Sequence, residues 1–221
     1  MQAVEIAAIS EVAQDHLELE LVHPQAAAYT RPGQFVKIGL EGHEKPGFFA
    51  IASAPGAERM RFLVQVASPL TEALAACVVG DSVLVSEPMG RGFAMEALAG
   101  RTPLFFATGS GISAIRAVIE SQEWSGQGAR LYYGARTWER MPWTDTFEAW
   151  RRRGVEVIPV LSRADESWDG ARGHIQAVYA EDPVEGAQAA LVLCGLKGMT
   201  DEATQLLVAQ GMDPKFALLN F

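Results

Sequence analysis

The stretch "PLFFATGSGISAIR", residues 103–116, decides the fold. An apolar run of strand length ends in Gly109-Ser110-Gly111, and the helix-patterned "ISAIRAVIESQ" begins at once. Glycines at such a corner allow a tight turn and let backbone amides approach a phosphate, while the helix N-terminus adds a partial positive charge. A glycine turn that merely closes a strand onto a helix reads the same way, so the pattern alone leaves both meanings open.

Downstream the strand-helix rhythm repeats. "RLYYGA" is a strand and "DTFEAWRRR" a helix with Gly154 just past its end; "VEVIPVL" is a strand and "GHIQAVYAE" a helix. "AALVLCG" then reads as a strand, and "MTDEATQLLVAQG" as a helix capped by Thr200. Strands alternating with helices imply a parallel sheet covered on both faces, an α/β Rossmann-like arrangement.

Upstream the pattern differs. Residues 4–12, "HLELELV", "QFVKIGL", "FFAIAS", "RFLVQVA" and "SVLVSE" each suit a short strand, separated by the turn-forming "YTRPGQ", "APGAER" and "VVGDS". Period-two patterning over six strands predicts an antiparallel barrel. One helix, "TEALAACVV", interrupts them, opened by Thr71 and closed by Gly80. The chain thus divides into two domains, 1–98 and 99–221.

Composition excludes several classes. The net charge of −9 argues against a nucleic-acid footprint, which needs Lys and Arg gathered on one face. Arg151, Arg152 and Arg153 form the one basic run, and they stand where a helix should end and cations favour its dipole. No apolar run approaches the roughly 20 residues of a membrane span. The N-terminus lacks the layout of a secretion signal, which makes a cytoplasmic location the expectation. Two cysteines, Cys77 and Cys194, are too few for an iron-sulfur cluster, and no metal site is expected. Redox chemistry would need an organic cofactor or a partner.

The order of barrel, "TGSGIS", "YYGAR", "VLSRADESWDG" and "LCGLKGM" resembles the ferredoxin-NADP reductase superfamily over the whole chain. The resemblance is nearest to a subgroup of plant and bacterial reductase-like proteins that includes a kiwifruit fruit protein. It implies an FAD-binding, six-stranded Greek-key barrel followed by an NAD(P)-binding domain. By that resemblance Thr108, Gly109, Ser110, Gly111 and Ile112 lie under the dinucleotide diphosphate, and Arg136 of "YYGAR" reaches a phosphate. Ala114 stands where the family has proline. Ser162 and Arg163 match the position that can hold an adenosine 2′-phosphate, a slight lean to NADPH over NADH. Cys194 and Gly195 match the segment beside the nicotinamide ring, and Phe221 the terminal aromatic that stacks on the flavin. On residues alone, Cys194 is a small buried hydrophobe and Phe221 a plug for an apolar gap. In the barrel, Thr71 matches the diphosphate-binding helix start, and Gly90, Arg91 and Gly92 the segment after the last strand.

One motif departs from the family. Where relatives carry Arg-x-Tyr-Ser, this chain has Gly47, Phe48, Phe49 and Ala50, so three polar functions are missing at once. Flavin is then expected to be held by Phe49, Ala50, Ile51, Ala52 and Ser53, largely through backbone amides. Arg91 or Arg31 is expected to replace the lost cation. The implied function is an NAD(P)H-dependent flavin oxidoreductase that passes hydride between nicotinamide and flavin, then electrons to an acceptor the sequence does not identify. The altered motif also admits a non-catalytic or accessory flavin-binding subunit, and a barrel that takes FMN.

Overall fold

The computed structural model of the chain describes residues 1–219. Phe221 therefore lies outside the described residues. Two sheets organise the rest, each with six strands.

The first sheet contains β1 (Gln2–Ala13), β2 (His16–Leu21), β3 (Phe35–Gly39), β4 (Gly47–Ala50), β5 (Met60–Gln65) and β6 (Ser82–Val85). Their order is β4-β3-β6-β1-β2-β5, all antiparallel, and a bridge between Ile51 and Phe62 joins the two edges into a barrel. The order is a Greek key, because β3 and β4 lie beyond β6, which follows them in the chain. Alternation fills the interior with Val4, Ile6, Leu19, Leu21, Val36, Ile38, Phe62, Val64, Val83 and Val85. Each such side chain contributes about 1.5–3 kcal/mol by leaving water.

Helix α1 (Pro69–Ala75) starts two residues before the expected Thr71. Ser68 is the cap: its Oγ accepts from Thr71 N, while Thr71 Oγ1 accepts from Ser68 N at 2.9 Å. Pro69 at the first position needs no N–H partner and presets φ, so the helix begins there.

The second sheet contains β7 (Thr102–Thr108), β8 (Ala129–Ala135), β9 (Val155–Leu161), β10 (Ala171–Arg172), β11 (Ala189–Cys194) and β12 (Ala217–Leu219). It is parallel, with the order β10-β9-β8-β7-β11-β12. Helices α2 (Ile112–Glu120) and α3 (Phe147–Arg152) cover one face; α4 (Ile175–Glu181) and α5 (Lys197–Ala209) cover the other. Thr200 is no cap: α5 begins at Lys197, and Thr200 is buried one turn inside, its hydroxyl donating to Lys197 O.

The chain leaves β7 in one direction through β8 and β9, then returns across it to β11. The direction of winding therefore switches between β7 and β11, where open α/β sheets bind ligands. The core between the second sheet and helices α2 and α3 also reaches across the junction, since Ala52, Leu63, Phe93 and Leu98 pack with Phe105, Ile115 and Tyr133. Among the described residues no helix is long and apolar enough to cross a membrane.

Candidate functional site

Two strand ends build the centre of the site. Gly109 has φ +53°, a left-handed conformation that L side chains adopt only with strain, and it turns β7 into a short 3-10 turn, Gly109–Gly111. A Cβ on Gly111 would lie 2.2 Å from the Cys194 carbonyl oxygen, and one on Gly195 would lie 2.1 Å from Thr108 Oγ1. The two glycines thus let the ends of β7 and β11 interlock at backbone distance. Leu196 N donates to Thr108 Oγ1 at 3.0 Å and closes the contact. The amides that open the 3-10 turn have no intrahelical partner by construction. Ile112 is fully buried and anchors α2 in the core, away from the opening.

This crevice opens into a cleft of about 1420 Å³ whose opposite wall is the barrel. Phe49, Ala50 and Thr71 line the barrel wall; Thr108, Gly109, Ser110, Gly111, Cys194 and Gly195 line the centre. Arg136, Ser162 and Arg163 line the far end, at the carboxyl ends of β8 and β9. Arg163 N donates to Arg136 O at 2.8 Å, which fixes the two residues side by side. Both are exposed, and among the described residues neither has an ion pair.

The remaining barrel residues stand elsewhere. Ile51 N donates to Gln34 O at 3.0 Å and Ala52 N to Arg61 O at 2.7 Å, so both amides are used inside the barrel, and both side chains are fully buried. Ser53 Oγ accepts from Arg61 N, and Ser53 O accepts from the Tyr29 hydroxyl at 2.8 Å. Burial raises the Tyr29 pKa, with the Glu120 charge adding to it, which keeps the phenol a neutral donor. Ile51 and Ala52 thus have no free amide to offer the cleft, and Ser53, only 3% exposed, is not among the residues that line it. Gly90 and Gly92, both at positive φ, make way for Phe35 and for the Arg31-Pro32 backbone. Arg91 is exposed but lies outside the cleft, and Arg31 pairs with Glu96 at 3.6 Å.

The edge of β4 is available in a way that sequence did not reveal. Phe35 exchanges backbone hydrogen bonds with Met89, and the main chain of Lys37 bonds to Ser86. By the antiparallel alternation, Phe48 and Ala50, which stand opposite them, turn their N–H and C=O groups away from β3. Phe48 is 67% exposed and lines the cleft, its ring edge-on to Phe35 at 5.8 Å and under Lys37 Nζ at 5.3 Å. Phe49 is buried instead, and a Cβ at position 47 would lie 2.8 Å from its ring. The cleft therefore fits flat ring systems: it has a glycine-built crevice on one side and, on the other, the outward-turned main chain of Phe48 with its exposed ring, before the Ile51–Phe62 bridge closes the edge onto β5.

His16 and Gln65 also line this wall, and neither has a sequence signal beyond its place in a strand. Among the described residues no group of three or more His, Cys, Asp or Glu could hold a metal ion.

A barrel joined to a doubly wound parallel sheet, with a cleft between them at the switch point, defines a two-domain nucleotide-dependent oxidoreductase fold. Residues 105–205 match the family model for the oxidoreductase NAD-binding domain. Ferredoxin-NADP reductase B of Sorangium cellulosum is 30% identical over 189 residues, covering 79% of this chain and 77% of that protein. The chain belongs to the ferredoxin-NADP reductase-like family of FAD/NAD(P) oxidoreductases. It is 36% identical over 206 residues to the fruit protein pKIWI502 of Actinidia deliciosa, covering 83% of this chain and 64% of that one. It spans from 54% to 65% of the length of several other curated relatives. The FAD/NAD-binding domain of nitric oxide dioxygenase from Vibrio cholerae has the same fold, with a TM-score of 0.82 over 99% of this chain and 97% of that one, at 22% identity.

Proposed function

We propose that this chain is an NAD(P)H-dependent flavin oxidoreductase, with residues 1–98 holding FAD and 99–221 the dinucleotide. One observation carries the reading: the glycine crevice of β7 and β11 and the open edge of β4 face each other across a single cleft. A flavin bound there supplies hydride acceptance and stepwise electron release, chemistry no side chain of this chain offers. The protein's contribution is placement. Amides of Gly109 to Gly111 and the N-terminus of α2 suit a diphosphate, and Cys194 and Gly195, which line the centre of the cleft, suit the side of a ring. Arg136 and Arg163, without ion pairs among the described residues, suit phosphate groups, and with Ser162 they favour NADPH over NADH. Phe48 and the main chain of β4 suit the edge of the flavin. Electrons then pass to a separate acceptor, a protein or a small molecule; relatives include the reductase component of phenol 2-monooxygenase from a Pseudomonas species and the electron transfer component of anthranilate 1,2-dioxygenase from Acinetobacter baylyi.

A second reading, an accessory flavin-binding subunit, is favoured by the barrel wall, where Gly47 and the buried Phe49 replace a cation and a hydroxyl. Heat release of the bound cofactor, followed by anaerobic mixing with NADPH and NADH in parallel, separates the two. FAD in the supernatant and bleaching of the flavin band by a dinucleotide support the enzyme. A flavin that neither dinucleotide reduces supports the subunit, released FMN moves the barrel assignment, and a colourless protein that takes up no flavin refutes both.

A further inference from the structure

His16 opens β2 at the barrel wall of the cleft, opposite Gln65 of β5. Its ring is 3% exposed. Nδ1 stands 2.8 Å from Gln14 O, and only a protonated nitrogen can donate to a carbonyl, so Nδ1 carries the hydrogen. Nε2 is then a bare acceptor, buried and without a partner among the described residues. Burial lowers the His16 pKa and the charge of Arg140 lowers it further, outweighing the raising effects of the Gln14 bond and of Asp15. The ring is thus neutral at pH 7.

Two features fix this ring in place. Asp15 has φ +61° at the hairpin turn, and its carboxylate pairs with Arg140, which also lines the cleft. Gln14 N donates to Glu139 O at 2.7 Å, so the turn is clasped to the second domain on both sides of its tip. A neutral acceptor left buried and unsatisfied in a side chain that borders a ligand-sized cleft is unusual, because buried polar atoms are nearly always satisfied. A donor from a bound molecule would satisfy it.

We propose that His16 is a positioning residue whose Nε2 accepts a hydrogen bond from an N–H group of the bound cofactor pair, either the flavin imide or the nicotinamide carboxamide. The proposal rests on the function argued above, since it needs those molecules in the cleft. Both sources share one chemistry, a planar amide N–H that a neutral imidazole can receive and a cation cannot. Gln65 and Arg140, on the same wall, offer donors to the carbonyl groups that neighbour such an N–H.

Two variants separate the ring's two nitrogens. In His16→Asn the side-chain amide can still donate to Gln14 O, but nothing reaches the place of Nε2. In His16→Gln the amide reaches that place. Flavin affinity is measured by reconstitution of apoprotein with FAD, and dinucleotide affinity by titration with NADPH and NADH. The expected result is that His16→Asn weakens one of the two by about tenfold, a buried hydrogen bond's usual effect, and that His16→Gln recovers part of it. Loss confined to flavin identifies the imide, and loss confined to the dinucleotide the carboxamide. Where His16→Asn does not fold, the wild-type protein answers: cofactor loading should shift the Nε2 nitrogen resonance and leave Nδ1 in place. Unchanged affinities in a folded His16→Asn, or an unchanged Nε2 resonance, overturn the proposal and leave a buried water as the partner. A wild-type chain that binds neither cofactor refutes instead the function on which the proposal rests.

Discussion

A side chain at position 47 would have to rise where the Phe49 ring already lies, 2.8 Å from a Cβ, with Leu70 at 3.3 Å. Gly47 and Phe49 are thus one packing unit in this chain. Composition of the motif exposed the loss of Arg, Tyr and Ser, but the ring's direction depends on the barrel interior it fills. Restoring the cation alone should therefore fail. Gly47→Arg is expected to destabilise the barrel by about 1–3 kcal/mol through overpacking, and Phe49→Ala in the same chain should relieve part of that cost. Denaturant titration of both single variants and the double variant measures the coupling, and additive effects would show the two positions to be independent.

The strand ends were the most legible elements. Glycines at 109, 111 and 195 are visible in any reading of the chain, and the structure gives each a steric or conformational reason. Helix starts were less legible: Thr71 and Ser68 bond each other reciprocally, and a hydroxyl on either is an acceptable cap by composition. Proline at 69 settles the choice in favour of Ser68. Strands β10 and β12, with two and three residues, are too short to carry a period, and pairing with β9 and β11 alone makes them strands. The paired ends of β8 and β9 bring Arg136 beside Arg163. Replacing Arg163 with Ala should lower kcat/KM for NADPH by about 10- to 100-fold, the worth of a charge-assisted bond, while that for NADH changes little. Equal losses with both dinucleotides would remove the 2′-phosphate role.

Across the molecule, the outer face of β2 changes its meaning. Glu18 and Glu20 alternate with leucines as if facing water, yet Glu18 meets Arg116 of α2 at 2.6 Å, and Arg116 is only 4% exposed. Glu120 pairs with the same guanidinium at 2.8 Å, and the Trp143 ring lies 4.3 Å from it. A cation held this way joins barrel and sheet. Arg116→Ala takes the guanidinium from two carboxylates and should cost about 3 kcal/mol, the lower end for a broken buried pair because both acids keep some contact with water, Glu18 keeps Arg61 at 4.0 Å and Glu120 keeps the Trp150 indole N–H at 3.3 Å. Chemical denaturation checks this, and a loss below about 1 kcal/mol would make the pair a surface contact in effect. By itself the sequence determined the two fold classes, their order and the glycine crevice, because periodicity and backbone freedom are local properties. Only the tertiary structure decided which polar groups face the cleft. Phe48 and His16 line the cleft and Ile51, Ala52, Ser53 and Arg91 do not, because exposure and hydrogen-bond partners are set by the surface that folds over a residue and not by its neighbours in the chain.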